Sequence, residues 1–363
     1  MSEANATAKK HRNAMQVWMD NFKEMNSKDK QRAIISLLVN NAMYIMIVVA
    51  VIYIAIKVPA YTKAPSLINI LQLTAAKLPI ALGIGGCIVL TGTDISAGRQ
   101  VGLSAVVAAS LLLTASSNKI FPGAEPKPVI VALLAVLAVT AAIGFVNGFS
   151  VAKFKLHPFI VTLATQLITY GLILIYLKLG TNNGQTLSGF SDEYRAVITG
   201  TLFKIGTNSI PMYVLYAVLL TIMMWVIWNK TTFGKNMFAV GSNEEAARVS
   251  GVNVSATIIL VFVLAGMMYG ITGFIDGARI ASVSATTGFN YECDAIAACV
   301  IGGVSFVGGT GKISGIVIGV LLLQIIFTGL NFLSVDQNLL YVIKGLIILI
   351  ACAIDMRKYL TKK

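Results

Sequence analysis

The sequence predicts an all-α protein that crosses a membrane about ten times. Of its 363 residues, 56% are hydrophobic and only 12% are charged, whereas soluble domains carry about 25% charged residues. The mean hydropathy is +0.81. The apolar residues fall in runs that are long enough, or nearly so, to cross ~30 Å of hydrocarbon as helices. We therefore expect a polytopic helical membrane protein.

The predicted spans divide the chain into an N-terminal segment, 1–33, and a transmembrane domain, 34–363. A shorter apolar segment, 67–73, is expected to lie at the membrane interface. The ten spans run roughly over 34–57, 76–92, 97–116, 128–152, 158–178, 210–229, 254–275, 293–310, 313–333 and 338–355.

The N-terminal segment is polar and basic, and its apolar residues recur at helical spacing: Val17, Trp18, Phe22 and Met25. This pattern predicts an amphipathic helix on the inner membrane surface, with a basic tail as the alternative. Placing both termini in the cytoplasm puts about 18 of the 28 Lys and Arg residues on that side, as membrane proteins prefer. Because the basic residues are dispersed, we expect contact with membrane lipid and not with nucleic acid.

A polar segment, 230–253, interrupts the apolar runs near the middle of the chain and is predicted to be a cytoplasmic loop. Ser242 and Glu245 match the capping box S-x-x-E, which predicts a helix of about two turns. Gly251 would end this helix. An ordinary capped helix in a loop is the alternative to a docking element. The candidate contact residues are Ser242, Glu245, Ala246, Ala247, Arg248 and Gly251.

Nearer the N-terminus, at 91–104, a polar, glycine-rich segment interrupts the apolar spans and forms the first of two such breaks. The flanking spans are short, so the break is expected at membrane depth, where discontinuous helices line transport pathways. Asp94 and Arg99 would be costly there unless they pair. A solvated cytoplasmic turn is the alternative. The candidate pathway residues are Thr91, Thr93, Asp94, Ser96, Arg99 and Gln100.

A second break covers 291–312, and its polar candidates are Tyr291, Glu292 and Asp294. Its G-G-T-G-K end is not a phosphate loop, because Phe306 and Ile313 stand where the motif needs Gly and Ser or Thr. Glycines here favour close helix packing and a tight turn. Similar breaks on both sides of 230–253 are typical of an internal duplication.

The residues indicate no cofactor and no catalytic centre. The four cysteines form no CxxC pair, and the two histidines have no partners at metal-ligand spacing. No His/Asp/Glu or Ser/His/Asp set converges, so an integral membrane enzyme is disfavoured. The longest external loop, 180–208, could be a docking surface or simply a solvated loop.

Four stretches together resemble the ribose/galactose/xylose family of ABC-importer permeases: G-T-D-I-S-A-G-R-Q-V-G-L at 92–103, F-G-K-N-M-F-A-V-G-S-N-E-E-A-A-R-V-S-G-V-N at 233–253, Y-E-C-D-A-I-A-A-C-V-I-G-G-V-S-F-V-G-G at 291–309, and Y-V-I-K-G at 341–345. The string E-A-A-x-x-x-G at 245–251 resembles the loop that docks into the ATPase in such permeases. The D-I-S-A-G-R-Q variant at 94–100 looks most like galactose/methyl-galactoside permeases.

The resemblance implies a type II ABC-importer-like fold in a bacterial inner membrane. It also implies a permease homodimer, a separate ABC ATPase subunit that hydrolyses ATP, and an extracytoplasmic sugar-binding protein. Permeases for ribose, xylose or nucleosides are the alternatives within this class. An ion-coupled secondary carrier is the alternative outside it, and it is disfavoured because the spans hold few acidic residues.

Overall fold

The computed structural model describes Asn26, Lys30, residues 42–114 and residues 119–360. The predicted amphipathic helix within 1–33 lies outside the described residues apart from Asn26 and Lys30. Contacts divide the chain into two units, Met1–Ala50 and Val51–Lys363. The described helices are α1 (Ala42–Lys57), α2 (Ala64–Val89), α3 (Ala97–Leu112), α4 (Val129–Phe154), α5 (Pro158–Leu177), α6 (Asp192–Thr199), α7 (Met212–Lys230), α8 (Thr232–Ser242), α9 (Glu244–Val249), α10 (Val254–Ile280), α11 (Tyr291–Ile301), α12 (Ile313–Phe332) and α13 (Gln337–Leu360).

A helix coincides with each of the ten predicted spans, which confirms the all-α polytopic prediction. Six helices in the described part of the chain are long and apolar enough to cross a membrane: α2, α4, α5, α7, α10 and α12. Helix α3 and the stretch Gln337–Ala353 of α13 are apolar but shorter.

Helix α2 begins well before the predicted span at 76–92, and the segment 67–73 belongs to it instead of lying apart at the interface. Pro65 occupies the first turn of α2, where proline costs no hydrogen bond. The polar residues Gln72, Thr74 and Lys77 lower the local hydropathy, so the sequence pattern placed the start of the span too late. The prediction of a separate interfacial segment is therefore wrong.

The predicted span at 293–310 is also wrong in extent, because α11 has only 11 residues and ends at Ile301. Residues 302–312 are turns and irregular backbone, and Gly303, Gly308 and Gly309 have positive φ there. At 1.5 Å per residue, α11 covers roughly 16 Å, about half of the hydrocarbon layer. It is a discontinuous helix of the kind that the sequence predicts.

The core of the second unit forms around α10, which packs against α4, α3 and α2. Glycines on α4 and α10 allow the two backbones to touch. A Cβ at Gly144 would collide with the carbonyl oxygen of Phe262, and one at Gly266 would collide with that of Thr140. Small residues at helix interfaces are the usual way in which membrane helices pack closely.

The predicted external loop at 180–208 is folded. It contains strand β1 (Leu187–Ser188), helix α6, strand β2 (Thr201–Ile205) and the first residue of β3 (Asn208–Pro211). β1 pairs antiparallel with β4 (Ser282–Val283), and β2 pairs with β3 in a hairpin.

Tyr194 anchors α6 to the core. Its side chain is fully buried, and its hydroxyl donates to the carbonyl oxygen of Phe274 on α10. Burial raises the pKa of the Tyr194 phenol above its ordinary value, so this hydroxyl stays a donor. Every residue of β2, by contrast, is exposed.

Candidate functional site

The predicted coupling helix exists as α9, but its cap differs from the prediction. The N-cap is Asn243, whose Oδ1 accepts from the backbone N–H of Ala246 at 2.9 Å. Ser242 instead ends α8, and its Oγ donates to the carbonyl oxygen of Phe238 at 2.8 Å. The capping box is therefore wrong. Asparagine caps as well as serine does, and Ser242 is already used by the preceding helix.

The end of α9 is as predicted. Gly251 has φ +84°, a left-handed conformation that glycine adopts without strain. The N–H of Val252 then donates to the carbonyl oxygen of Ala247, and the N–H of Gly251 donates to that of Arg248. This pattern closes a six-residue helix, which is shorter than the two turns expected.

The two faces of α9 differ sharply. Ala247 is 4% exposed, whereas Val249 is 89% exposed. Ala246, Glu245 and Arg248 are also exposed. Ala247 is thus part of the protein's own packing, and the surface that a partner could touch is formed by the neighbouring residues. The sequence does not single out Val249, because nothing in the local pattern distinguishes it from a core valine.

Exposed ion pairs hold α9 against the loop between α4 and α5. Glu244 Oε1 lies 2.6 Å from Lys155 Nζ and 2.7 Å from Arg248 NH2. Arg248 also reaches Glu245 Oε1 at 3.2 Å. Each such exposed pair contributes at most ~1 kcal/mol, but together they fix the orientation of the helix.

The segment that leads into α9 abuts both polar breaks. The N–H of Gly309 donates to the carbonyl oxygen of Val89, the last residue of α2, at 2.9 Å. A Cβ at Gly241 would collide with that same oxygen, and one at Gly309 would collide with Ser242 Oγ. The end of α8, the end of α2 and the glycine turn after α11 therefore meet backbone to backbone. A displacement of α8 and α9 would therefore also displace the end of α2 and the glycine turn after α11.

The first break forms a buried polar network between α2 and α3. Asp94 Oδ1 accepts from the N–H and the Oγ of Ser96, at 3.0 and 2.5 Å. Gln100 Nε2 and Asn147 Nδ2 both donate to Ser96 Oγ, at 2.9 and 3.1 Å. All four side chains are fully buried, which excludes a solvated turn at Asp94. Asn147, on α4, was not found from the sequence.

Thr91 and Thr93, which precede Asp94 in this break, lie outside the buried network. Thr91 is exposed and has a positive φ of 60°. The carbonyl oxygen of Thr93 accepts from Thr162 Oγ1 on α5, at 3.2 Å. The break is therefore held by α5 as well as by α4.

The structure contradicts the predicted pairing of Asp94 with Arg99. Arg99 NH1 donates to the carbonyl oxygen of Ala285 at 3.3 Å, and its guanidinium lies 4.2 Å from the ring centre of Tyr170. Asp94 instead accepts hydrogen bonds from Ser96 through its Oδ1. Its Oδ2 has no hydrogen-bond partner in the described part of the chain. Five residues apart, the two side chains leave α3 and its preceding turn in different directions.

The second break lies against the first. Glu292 is 5% exposed, and a Cβ at Gly98 on α3 would collide with its Oε2. Asp294 forms an ion pair with Lys344 on α13 at 2.9 Å. The ammonium of Lys77 on α2 stands over the ring of Tyr291. The three predicted residues therefore point to three different helices around α11.

Several charged residues near α11 were not among the predicted site residues. They are Lys77, Lys344 and the ion pair between Asp276 and Arg279 on α10, in which the oxygen and nitrogen lie 2.8 Å apart. A signal for them exists in the sequence, because each stands inside an apolar run, where charges are rare and usually functional.

The fold defines a helical membrane protein with broken helices and an exposed helical loop, which is the architecture of a transport permease. The sequence profile of a family described as "Branched-chain amino acid transport system / permease component" matches residues 66–352. The chain belongs to this family of membrane permeases, as the resemblance predicts.

Proteins named galactose/methyl galactoside import permease protein MglC are similar over nearly the whole chain. The one from Haemophilus influenzae is 40% identical over 93% of this chain and all of its own length. The one from Escherichia coli is 40% identical over 92% of this chain and 98% of its own length. The ribose import permease protein RbsC of Bacillus subtilis is 33% identical over 85% of this chain and 90% of its own length. No solved structure matches the chain.

Proposed function

We propose that this chain is the membrane-spanning subunit of an ATP-driven sugar importer, with galactose or methyl galactoside as its substrate. The observation that carries this proposal is the 40% identity to import permeases of that name over 92–93% of the chain. The variant D-I-S-A-G-R-Q at 94–100 supports the same substrate, and it forms the buried network around Asp94 and Ser96.

The partner that hydrolyses ATP binds, in this proposal, to the exposed face of α9. The face consists of Glu245, Ala246, Arg248 and Val249, with Gly251 at its edge. Lys155 and Glu244 hold the helix in place, and Asn243 caps it. Because Gly241 and Ser242 contact Val89 and Gly309, a movement of α9 would reach both polar breaks. The permease itself would catalyse no reaction.

The sugar-binding protein would dock at the other end of the bundle. Helix α7 connects the β2–β3 hairpin directly to α8 and has 19 residues, or roughly 28 Å of length. The hairpin and α9 therefore lie at opposite ends of that helix. Leu202, Phe203 and Ile205 are exposed apolar residues on β2, a composition suited to a protein contact.

The proposal also includes a homodimer of permease subunits surrounded by lipid in a bacterial inner membrane. Both termini would face the cytoplasm. The distribution of Lys and Arg supports this orientation, and so does the placement of α9, which must be reachable by a cytoplasmic ATPase.

Uptake of labelled sugar tests the proposal. The permease is reconstituted in proteoliposomes with its ATPase subunit and its sugar-binding protein. We expect ATP-dependent accumulation of galactose that excess methyl galactoside suppresses and excess ribose does not. If only ribose or xylose suppressed the accumulation, the importer would carry a different sugar. If only leucine suppressed it, the importer would carry amino acids. Accumulation that requires a Na⁺ or H⁺ gradient and no ATP would contradict the proposal.

A further inference from the structure

A set of polar side chains converges beside α11 at a depth where the surrounding helices are apolar. Lys77 lies near the middle of α2, Gln324 lies near the middle of α12, and Tyr291 and Asp294 lie in the first turn of α11. These four residues line one cavity together with apolar side chains. Substrate sites of membrane transporters commonly lie near the bilayer midplane, beside discontinuous helices.

The charges around this cavity are only partly compensated. Asp294 is paired with Lys344 at 2.9 Å, but Lys77 forms no ion pair among the described residues. Asp276, which faces both Lys77 and the Tyr291 hydroxyl, is paired with Arg279. Incompletely satisfied polar groups at such depth are costly. Packing alone gives no reason for them.

The chemistry of the cavity fits a neutral molecule with several hydroxyl groups. Lys77 donates, the Asp294 carboxylate accepts, and the Gln324 amide and the Tyr291 hydroxyl do both. Asp294 and Lys344 neutralise each other, which leaves the Lys77 ammonium to be met by neutral acceptor oxygens such as those of sugar hydroxyls. A few convergent polar groups in an otherwise apolar pocket are typical of small-molecule sites.

We propose that Lys77, Tyr291, Asp294 and Gln324 form the site at which the permease holds the hydroxyl groups of the sugar in transit. This inference rests on the proposed function and adds the substrate contacts to it. The cavity measures about 10 Å³, room for one water molecule, so the site is closed in this structure. The Asp294–Lys344 ion pair ties α11 to α13 beside this cavity. Sugar hydroxyls replace Lys344 when the site opens.

The test compares a set of sugars across variants of the complete importer. Initial uptake of galactose and of each singly deoxygenated galactose is measured with wild type, Gln324→Leu and Tyr291→Phe, per assembled complex. Preferences of the binding protein are the same for every permease variant, so they cancel in the ratio of variant to wild type. Thr328→Val is the matched control, because Thr328 is buried one turn further along α12 and does not line the cavity.

Loss of one hydrogen bond to the sugar should lower galactose uptake by about 3–10-fold in each variant. A deoxygenated sugar that lacks the bonded hydroxyl should lose little, because the bond is already missing. Thr328→Val should take up every sugar at the wild-type rate. The same loss for all sugars would make the cluster structural and overturn this inference. Absence of ATP-dependent galactose uptake by wild type would instead contradict the proposed function itself.

Tyr291→Phe keeps the ring beneath Lys77 and removes the hydroxyl, which also faces Asp276. If Gln324→Leu fails to assemble, the Tyr291→Phe ratios decide the question alone. Equal ratios for all sugars in that variant would exclude Tyr291 and overturn the four-residue site.

Discussion

Ala247 and Val249 stand two residues apart in α9, and their surroundings are opposite. Ala247 is packed within the permease, whereas Val249 is almost wholly exposed. A substitution at Ala247 would therefore damage the permease itself, through overpacking and an unpaired buried charge. It could not separate a docking defect from a folding defect, but a substitution at Val249 can.

We predict that Val249→Asp leaves the permease folded and abolishes its coupling to the ATPase. Exposed substitutions usually change stability by less than ~0.5 kcal/mol, whereas a charge in an apolar contact is unfavourable. Co-purification of the ATPase and sugar-stimulated ATP hydrolysis measure the effect. Ile205→Asp, which places the same charge on an exposed residue of β2, is the matched control for co-purification only, and it should retain the ATPase. Normal ATP hydrolysis in Val249→Asp would remove α9 from the interface.

Asp94 and Arg99 have separate partners, so we expect their substitutions to act independently. In a double-mutant cycle with Asp94→Asn and Arg99→Gln, the effects on folded protein should add to within ~0.5 kcal/mol. Folded protein is measured by its resistance to heat in detergent. A coupling energy of several kcal/mol, as broken buried pairs show, would mean that the two residues do pair in the membrane.

Asp94 also carries a charge that no described cation neutralises. Asp94→Asn removes the charge while leaving an oxygen to accept from Ser96, so the amount of folded protein should not fall. Asp94→Ala removes the acceptor from Ser96 and should be destabilising by about 1–3 kcal/mol. Thermal unfolding of the purified permease measures both, and an equal loss in the two variants would contradict this account.

At the scale of elements, the packing of α4 against α10 depends on glycine. Gly144 and Gly148 on α4 face the backbone of α10, and Gly266 faces Thr140 on α4. Membrane helices gain little from burying apolar side chains, since lipid is as apolar as the protein interior. Close backbone contact is therefore what holds this pair together.

We predict that Gly266→Leu destabilises the permease by at least ~1–3 kcal/mol, because its side chain meets backbone atoms that cannot move aside. Gly171→Leu on α5 is the matched control, since a Cβ there meets nothing within 4 Å, and leucine favours a helix more than glycine does. Unfolding temperature and yield of monodisperse protein measure both. Equal stability of the two variants would show that α4 and α10 do not pack in this way.

At the scale of the whole molecule, the proposed orientation places α8, α9 and the C-terminus in the cytoplasm. We predict that cysteines at Lys235 and Lys362, in a background without Cys87, Cys293, Cys299 and Cys352, react with a membrane-impermeant maleimide only after cells are opened. A cysteine at Lys204 in β2 should react in intact cells. The background must retain sugar uptake. Labelling of Lys235 and Lys362 in intact cells would invert the topology.

Much of the fold could be predicted because hydropathy is a local property. All ten apolar runs became helices, and the glycine turn after α11 and the stop at Gly251 followed from the residues alone. The start of α2 was misplaced because Gln72, Thr74 and Lys77 are polar yet stay helical, which only their neighbours in the bundle can explain. The N-cap of α9 is Asn243, one residue after the predicted Ser242, because the Ser242 hydroxyl already donates a hydrogen bond within α8.

By itself, the sequence determined the class of the protein, the ten apolar segments that form helices and the position of the exposed helical loop. These depend on composition and on motifs that are continuous in the chain. Only the tertiary structure decided that Ser96, and not Arg99, donates hydrogen bonds to Asp94. It also decided that Lys77 and Gln324 lie beside α11. It also decided that Val249 and not Ala247 faces outward. The contacts of Lys77 and Gln324 with α11 join residues far apart in the chain, and which side of a helix is buried depends on how that helix is rotated against its neighbours. Ser96 lies two residues from Asp94, but their network also includes Asn147 of α4.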